Sequence, residues 1–378
     1  MSYVYFDIVN DENQVGRVVI QLFTDKAPKT CTKFAKLCES KEYSNVLVHK
    51  VIRNFIIQTG DTTFKAGVNT DSYPDLDIGK NGNGSGESIE DENLSPIEKP
   101  FLVCMSNFGI PNNNKSQFFI TVEKCPHLNN KHTVFGKVIH GKSVIREIER
   151  TEVFSNKNND NYSWMPKKPI ILKDCGLWNE GDELPNYVAC VDPIGGDIYE
   201  EYPDDNEIEG VDFENAEQSY KITSTIKESA TQLFKQKRYD DALLKYKKSL
   251  RYCNELIPDD ESNKEMFKKF QELKKTIYLN LTLVTLNLGK YDECINYCGY
   301  VLQMEDVDLS NIQLSKVFYR LGKSYAALKK YDIALETLEK AKLIAPEDAA
   351  IKREFDQVHD IVSTAKKEEK AKYAKFFS

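Results

Sequence analysis

The spacing of apolar residues changes once along the chain, and that change divides it. Early on, Tyr3-Val4-Tyr5-Phe6-Asp7-Ile8-Val9 and Arg17-Val18-Val19-Ile20-Gln21-Leu22-Phe23 are rich in β-branched and aromatic residues. They read as two strands with the intervening NDENQVG as their turn. Pro28 then opens a short helix, with Cys31, Phe34, Leu37 and Cys38 as its apolar stripe. Further short strands follow, between Gly- and Asn-rich loops at 79–86 and 109–115. The pattern predicts a strand over 133–139 and a second helix over 142–150. Many short strands with two helices predict a closed antiparallel β-barrel with helical lids.

Later the period becomes helical. Ile226, Leu233, Phe234, Ala242, Leu243, Tyr246 and Leu250 fall on amphipathic spacing. The segment Arg238-Tyr239-Asp240-Asp241-Ala242-Leu243 recurs as Lys290-Tyr291-Asp292-Glu293-Cys294-Ile295 and as Lys330-Tyr331-Asp332-Ile333-Ala334-Leu335. Twelve positions before each repeated Ala or Cys stands a small residue, Ala230, Thr282 or Gly322. Helices pack closely where both present small side chains, so the fixed offset predicts a helix-turn-helix unit in three copies. The copies are 52 and 40 residues apart. With a constant interior, the extra length is expected between units, at 258–263 and 305–310. The last stretch, 347–378, reads as a capping helix with a basic tail, which such an array requires.

Composition refines this picture. The chain has 378 residues, a net charge of −8 and a pI near 5.4, which argues against a general nucleic-acid binder. From 179 to 220 there are fourteen Asp and Glu and no Lys or Arg, which leaves +6 for the rest. This stretch reads as a solvated acidic linker; the alternative is a segment lying on a basic surface next door. Four parts are therefore expected: 1–178, 179–220, 221–346 and 347–378. No uncharged run reaches the ~18 residues of a membrane span. The N-terminus has neither a basic start nor an apolar stretch, so no signal peptide is expected. The nine cysteines include no C-x-x-C pair, and Cys294 and Cys298 share a helix face as core residues. The expectation is a reduced, cytoplasmic protein without a metal or cofactor.

Six ordered motifs resemble the cyclophilin peptidyl-prolyl isomerases. They are Val48-His49-Lys50-Val51-Ile52-Arg53-Asn54-Phe55-Ile56-Ile57-Gln58-Thr59-Gly60-Asp61, Gly86-Glu87-Ser88-Ile89, Glu90-Asp91-Glu92-Asn93, Met105-Ser106-Asn107, Ser116-Gln117-Phe118-Phe119-Ile120-Thr121 and His127-Leu128-Asn129-Asn130-Lys131-His132-Thr133-Val134-Phe135-Gly136. The repeats resemble tetratricopeptide units. The whole layout is similar to the forty-kilodalton cyclophilins, co-chaperones of the ninety-kilodalton heat-shock protein, and the closing Lys375-Phe376-Phe377-Ser378 looks like the ends of fungal members. The resemblance implies rotation about X–Pro bonds, with a barrier of ~18–20 kcal/mol and no covalent step. It implies that Phe55, Ile56, Phe119, Leu128 and His132 line a proline pocket, and that Gln58 and Asn107 hold the peptide backbone. In the repeats it implies a carboxylate clamp of Lys227, Thr231, Asn280, Lys316 and Arg320 for an acidic Met-Glu-Glu-Val-Asp tail.

Departures from the family pattern shape the expectation. Lys50 stands where the family has Arg, and an ammonium point charge does not replace a planar fork at an oriented site. Arg53, three residues on in a strand, would face the other way. Weak isomerase activity is therefore expected, with proline-peptide binding retained. Phe108 stands at a position that is usually small, and either narrows the neighbouring subsite or fills the surface of a loosened loop. His127 replaces the Trp that donates to cyclosporin, so weak cyclosporin binding is expected. Thr231 replaces the usual Asn of the clamp. The loop 304–308, Met-Glu-Asp-Val-Asp, resembles the tail itself but lacks a terminal carboxylate, and reads as an inter-repeat loop. A chaperone adaptor is the leading expectation. A fully competent isomerase addressed by its repeats and a stand-alone client-holding chaperone are the alternatives.

Overall fold

The computed structural model describes the chain except for residues 1, 11–12, 68–77, 80–85, 155–163, 183, 186–187, 306 and 377–378, with backbone alone for 369–376. It divides into two compact units, 1–188 and 189–378.

The first unit is a nine-stranded antiparallel sheet: β1 (Ser2–Asn10), β2 (Asn13–Leu22), β3 (Val46–Leu47), β4 (Lys50–Ile52), β5 (Ile56–Thr59), β6 (Leu102–Met105), β7 (Phe118–Thr121), β8 (Val134–His140) and β9 (Ile170–Trp178). Its order is β3-β9-β1-β2-β8-β6-β7-β5-β4. The edge strands β3 and β4 are separated in sequence only by Val48 and His49, so the sheet rolls up until its edges meet there. The barrel of the sequence pattern is thus closed by chain continuity. The β1–β2 ladder runs out to Asn10 opposite Asn13. Most of the expected turn is therefore strand, and the hairpin tip, 11–12, lies outside the described residues. Apolar residues alternating along β1 and β2 face inward, and Phe6, Phe34, Tyr43, Phe118 and Phe135 form an aromatic centre. Helix α1 (Pro28–Glu39) buries Cys31, Phe34 and Cys38 against it, and α2 (Lys142–Glu149) buries Val144, Ile145 and Ile148. Much of the expected 79–86 loop is also outside the described residues.

The second unit is helical, consistent with a tetratricopeptide-like array: α3 (Ala216–Lys235), α4 (Tyr239–Leu256), α5 (Lys264–Asn287), α6 (Tyr291–Leu302), α7 (Asn311–Ala327), α8 (Tyr331–Ile344) and α9 (Ala349–Phe376). Polar residues set the starts: Asn215 caps α3, Asn263 caps α5, and Ser310 with Gln313 forms a capping box on α7. The small residues sit where helices approach. A Cβ on Gly322 would lie 2.6 Å from Leu338 Cγ, and Ala230 and Thr282 are fully buried. The first long spacing is not merely a loop insertion, because α4 and α5 are themselves extended: Met266, Phe270 and Leu273 continue the buried stripe of α5. Val358 and Val362 of α9 pack on Ala334 and Leu338 of α8.

The acidic segment corrects a sequence expectation. Asp197 is buried between Lys245 (2.6 Å) and Lys248 (2.8 Å), and Glu201 pairs with Arg251 at 2.6 Å. Arg238 holds Asp192. Cys190 and Ile194 join the apolar core of α3–α5. This part of the stretch is a strap bound to a row of basic residues on α4, rather than a solvated connector. Lys245, Lys248 and Arg251, at helical spacing, carried that signal in the sequence.

Candidate functional site

In the first unit, β4, β5, β7 and the loops after β6 and β7 surround a cleft of about 200 Å³. It is lined by Lys50, Phe55, Ile56, Gln58, Ser106, Phe108, Gly109, Phe119, Leu128 and His132. The sheet explains the grouping. Antiparallel pairing puts Lys50 opposite Gln58, and Gln58 opposite Phe119, so the three share a face. Ile56 and Phe119 are buried in one apolar cluster, with Phe55 and Leu128 packed against it. These four give the cleft an apolar wall.

The polar groups are held firmly. Gln58 is buried and its Nε2 donates to Ser106 Oγ (3.2 Å) and Gln117 Oε1 (3.1 Å). His132 stands edge-on to Phe119, with centroids 5.1 Å apart, and its Nδ1 is 3.0 Å from the Met105 carbonyl. A carbonyl only accepts, so Nδ1 carries the proton and donates. Burial lowers the pKa of His132, which favours this neutral form. Lys50 is half-buried and, among the described residues, has no hydrogen bond or ion pair; burial lowers its pKa too. Arg53 donates to the Arg150 carbonyl instead, at 3.1 Å.

Two expected pocket residues are placed differently. Asn107 is buried outside the cleft lining; its Nδ2 donates to the Lys131 carbonyl (2.7 Å) and its Oδ1 accepts from Gly109 N–H (3.1 Å). Its own carbonyl accepts from Ile110 N–H at 3.1 Å. These bonds make Asn107 a brace of the loop beside the cleft. His127 is exposed and lies against the Phe55 ring at 4.9 Å, outside the cleft lining. Phe108, 36% exposed with φ +59°, turns into the cleft lining beside Gly109. Ser106 and Gly109 were not assigned to the pocket from the sequence; their signals were the Met105-Ser106-Asn107 motif and the Gly- and Asn-rich loop that starts at 109.

In the second unit, the five clamp candidates all lie on the first helices of the hairpins: Lys227 and Thr231 on α3, Asn280 on α5, Lys316 and Arg320 on α7. Lys316 is exposed and Asn280 half-buried, and among the described residues neither has a partner. Lys227 pairs with Glu228 at 3.4 Å. Thr231 donates to the Lys227 carbonyl and shares a 3.1 Å bond with the Tyr246 hydroxyl. Arg320 turns inward and donates to the Leu279 carbonyl (2.8 Å) and Thr282 Oγ1 (2.7 Å). In the loop resembling an acidic tail, Val307 is buried and the Asp308 carbonyl accepts from Lys275, while Asp306 lies outside the described residues. All nine cysteines are buried and none is in a disulfide.

Comparison with known proteins bears on both units. The profile of the family described as cyclophilin type peptidyl-prolyl cis-trans isomerase/CLD matches residues 5–177. The chain is 40% identical over 401 residues to the Saccharomyces cerevisiae peptidyl-prolyl cis-trans isomerase CYP7, spanning 99% of this chain and 98% of that one. Two structures of a Cryptosporidium parvum cyclophilin type peptidyl-prolyl cis-trans isomerase, one in the presence of the dipeptide Ala-Pro, are each 29% identical. They cover 47% of this chain and 98% and 99% of theirs, with a TM-score of 0.39.

Proposed function

Since this chain belongs to the cyclophilin-type peptidyl-prolyl cis-trans isomerases, we propose that it is a slow isomerase and a chaperone adaptor. Its helical repeats, read as tetratricopeptide units, would carry the acidic C-terminal tail of the ninety-kilodalton heat-shock protein. The observation that supports slow turnover is the lone ammonium of Lys50 beside an apolar wall. Isomerisation needs the amide resonance weakened while the ring is gripped. Phe55, Ile56, Phe119 and Leu128 serve the grip. Lys50 brings charge without the planar, doubly donating geometry that would orient it on the prolyl amide. Gln58 and His132 keep their positions through Ser106, Gln117 and Met105.

Loss of one oriented donor costs ~10²–10³ in rate at comparable electrostatic sites. A protease-coupled proline-peptide assay of the full chain should therefore show weak turnover, raised at least tenfold in Lys50→Arg. Wild-type turnover equal to that of ordinary cyclophilins would support the alternative of a competent isomerase addressed by its repeats. For the partner, the supporting observation is that Lys316 and Asn280 keep free donors on neighbouring first helices. Co-elution with the purified heat-shock protein should depend on its acidic tail. Suppression of client aggregation that survives Lys316→Ala with Arg320→Ala would favour the stand-alone chaperone.

A further inference from the structure

In the helical unit, the loop that resembles an acidic tail borders a cavity of about 330 Å³. Gln271, Lys274 and Tyr278 of α5 line it, three and four residues apart and so on one helix face. Tyr300 of α6 and, after it, Gln303 and Glu305 line it too. The clamp candidate Asn280 lies on another face of α5, about 200° further round the helix from Tyr278. One side of the cavity is aromatic: the Tyr278 and Tyr300 rings are 5.6 Å apart, and Tyr297 lies 6.2 Å from each. Tyr300 is 49% exposed, so its ring is offered to solvent. Among the described residues, the Tyr278 and Tyr300 hydroxyls, both glutamine amides and the half-buried Lys274 ammonium have no hydrogen bond or ion pair. The loop wall is pinned, since Val307 is buried and the Asp308 carbonyl accepts from Lys275 at 3.0 Å.

We propose that this cavity binds a proline-rich segment of a partner protein, held as a polyproline II helix with an acidic side chain on Lys274. A chain in that conformation has no internal hydrogen bonds, so its carbonyls look outward for donors. The unspent hydroxyls and glutamine amides supply them. An α-helical ligand would already have spent its carbonyls on itself. The pyrrolidine rings pack on tyrosine faces, as proline-rich segments do in aromatic-lined grooves. The lengths agree. Gln271 and Tyr278 stand about 10 Å apart along α5 at ~1.5 Å per residue. That distance spans about one three-residue turn of polyproline II at ~3.1 Å per residue. A stiff ligand and a pinned loop both reduce the ordering cost of binding. Lys274 sets the charge: an ammonium partly withdrawn from water without a partner is complemented by a carboxylate, through a charge-assisted bond. The carboxylate of Glu305 is exposed, where solvent and salt screen it.

The test is fluorescence polarisation of the full chain with a fluorescein-labelled Pro-Pro-Asp-Pro-Pro amide. Two companion peptides carry Asn in place of Asp, or Gly in place of every proline. The cleft of the first unit also receives proline, so variants assign the site. Wild type should bind the Asp peptide about fivefold more tightly than the Asn peptide, and about tenfold more tightly than the glycine peptide. Tyr300→Ala, at a side chain half in solvent, should weaken the Asp peptide about tenfold and leave isomerase turnover unchanged. Lys274→Met, which removes a charge without a partner, should bind the Asp and Asn peptides alike. Excess free-ended Met-Glu-Glu-Val-Asp peptide should not displace the probe. Unchanged binding in Tyr300→Ala, or displacement by that acidic peptide, would place the probe in the prolyl cleft or the clamp and overturn the inference. Equal binding of the glycine peptide, an Asp preference that survives Lys274→Met, or no binding by wild type would overturn it as well.

Discussion

At Lys50, Phe108 and His49 single side chains set what the first unit can do and the conditions under which it stands. Phe108 lies in the cleft lining rather than on a detached loop, which favours the narrowing of the neighbouring subsite. In a series of Xaa-Pro peptides, small Xaa should therefore be favoured over aromatic Xaa, and Phe108→Ala should flatten the preference. An unchanged preference in that variant would contradict the assignment. His49 is buried with neither ring nitrogen bonded, and burial lowers its pKa from 6.5 to about 4. The unfolded chain protonates this imidazole near 6.5, and the fold resists until about 4. Between those values the unfolded state binds more protons, so stability is full above 6.5 and falls with pH through the window, by up to about 3 kcal/mol. Both tryptophans, Trp164 and Trp178, lie in the first unit, so tryptophan fluorescence during urea unfolding reports on that unit alone. Wild type should lose about 2 kcal/mol between pH 7.5 and pH 5, and His49→Asn should lose distinctly less. Parallel losses would remove His49 as the cause.

At the scale of elements, periodicity was readable and register was not. The strands β1 and β8, the helices α1 and α2 and the three hairpins follow directly from apolar spacing. The same spacing could not show that β1 and β2 pair almost to their tips. It could not show either that Asn107, inside a recognisable motif, turns to Lys131 and Gly109. Both are consequences of contacts distant in sequence. The acidic segment failed for another reason: composition suggested solvation, while the complementary row on α4 lies roughly fifty residues away. Asp197 is the element-scale test. Its removal strands two buried ammonium groups, so Asp197→Ala should cost about 3–5 kcal/mol in urea unfolding followed by the helical circular-dichroism signal. A loss below about 1 kcal/mol would mean that the lysines find water, and that the strap is dispensable. Gly322→Val tests the hairpin contact. The added side chain meets Leu338, and a cost of about 1–3 kcal/mol is expected.

The whole molecule joins a cleft with one unpaired cation to a helical array with donors on three first helices. Among the described residues no helix is long and apolar enough to cross a membrane. Arg320 makes the docking claim demanding: its Nη1 is spent on Thr282 and the Leu279 carbonyl, so a carboxylate must be gripped by its Nε and Nη2 or left to Lys316, Asn280 and Lys227. Calorimetric titration of the full chain with a free-ended Met-Glu-Glu-Val-Asp peptide tests the adaptor claim most directly, with Lys316→Ala/Arg320→Ala beside wild type. The account predicts micromolar binding, about −8 kcal/mol, lost in the double variant. Absence of binding by wild type, or equal binding by the variant, would contradict it.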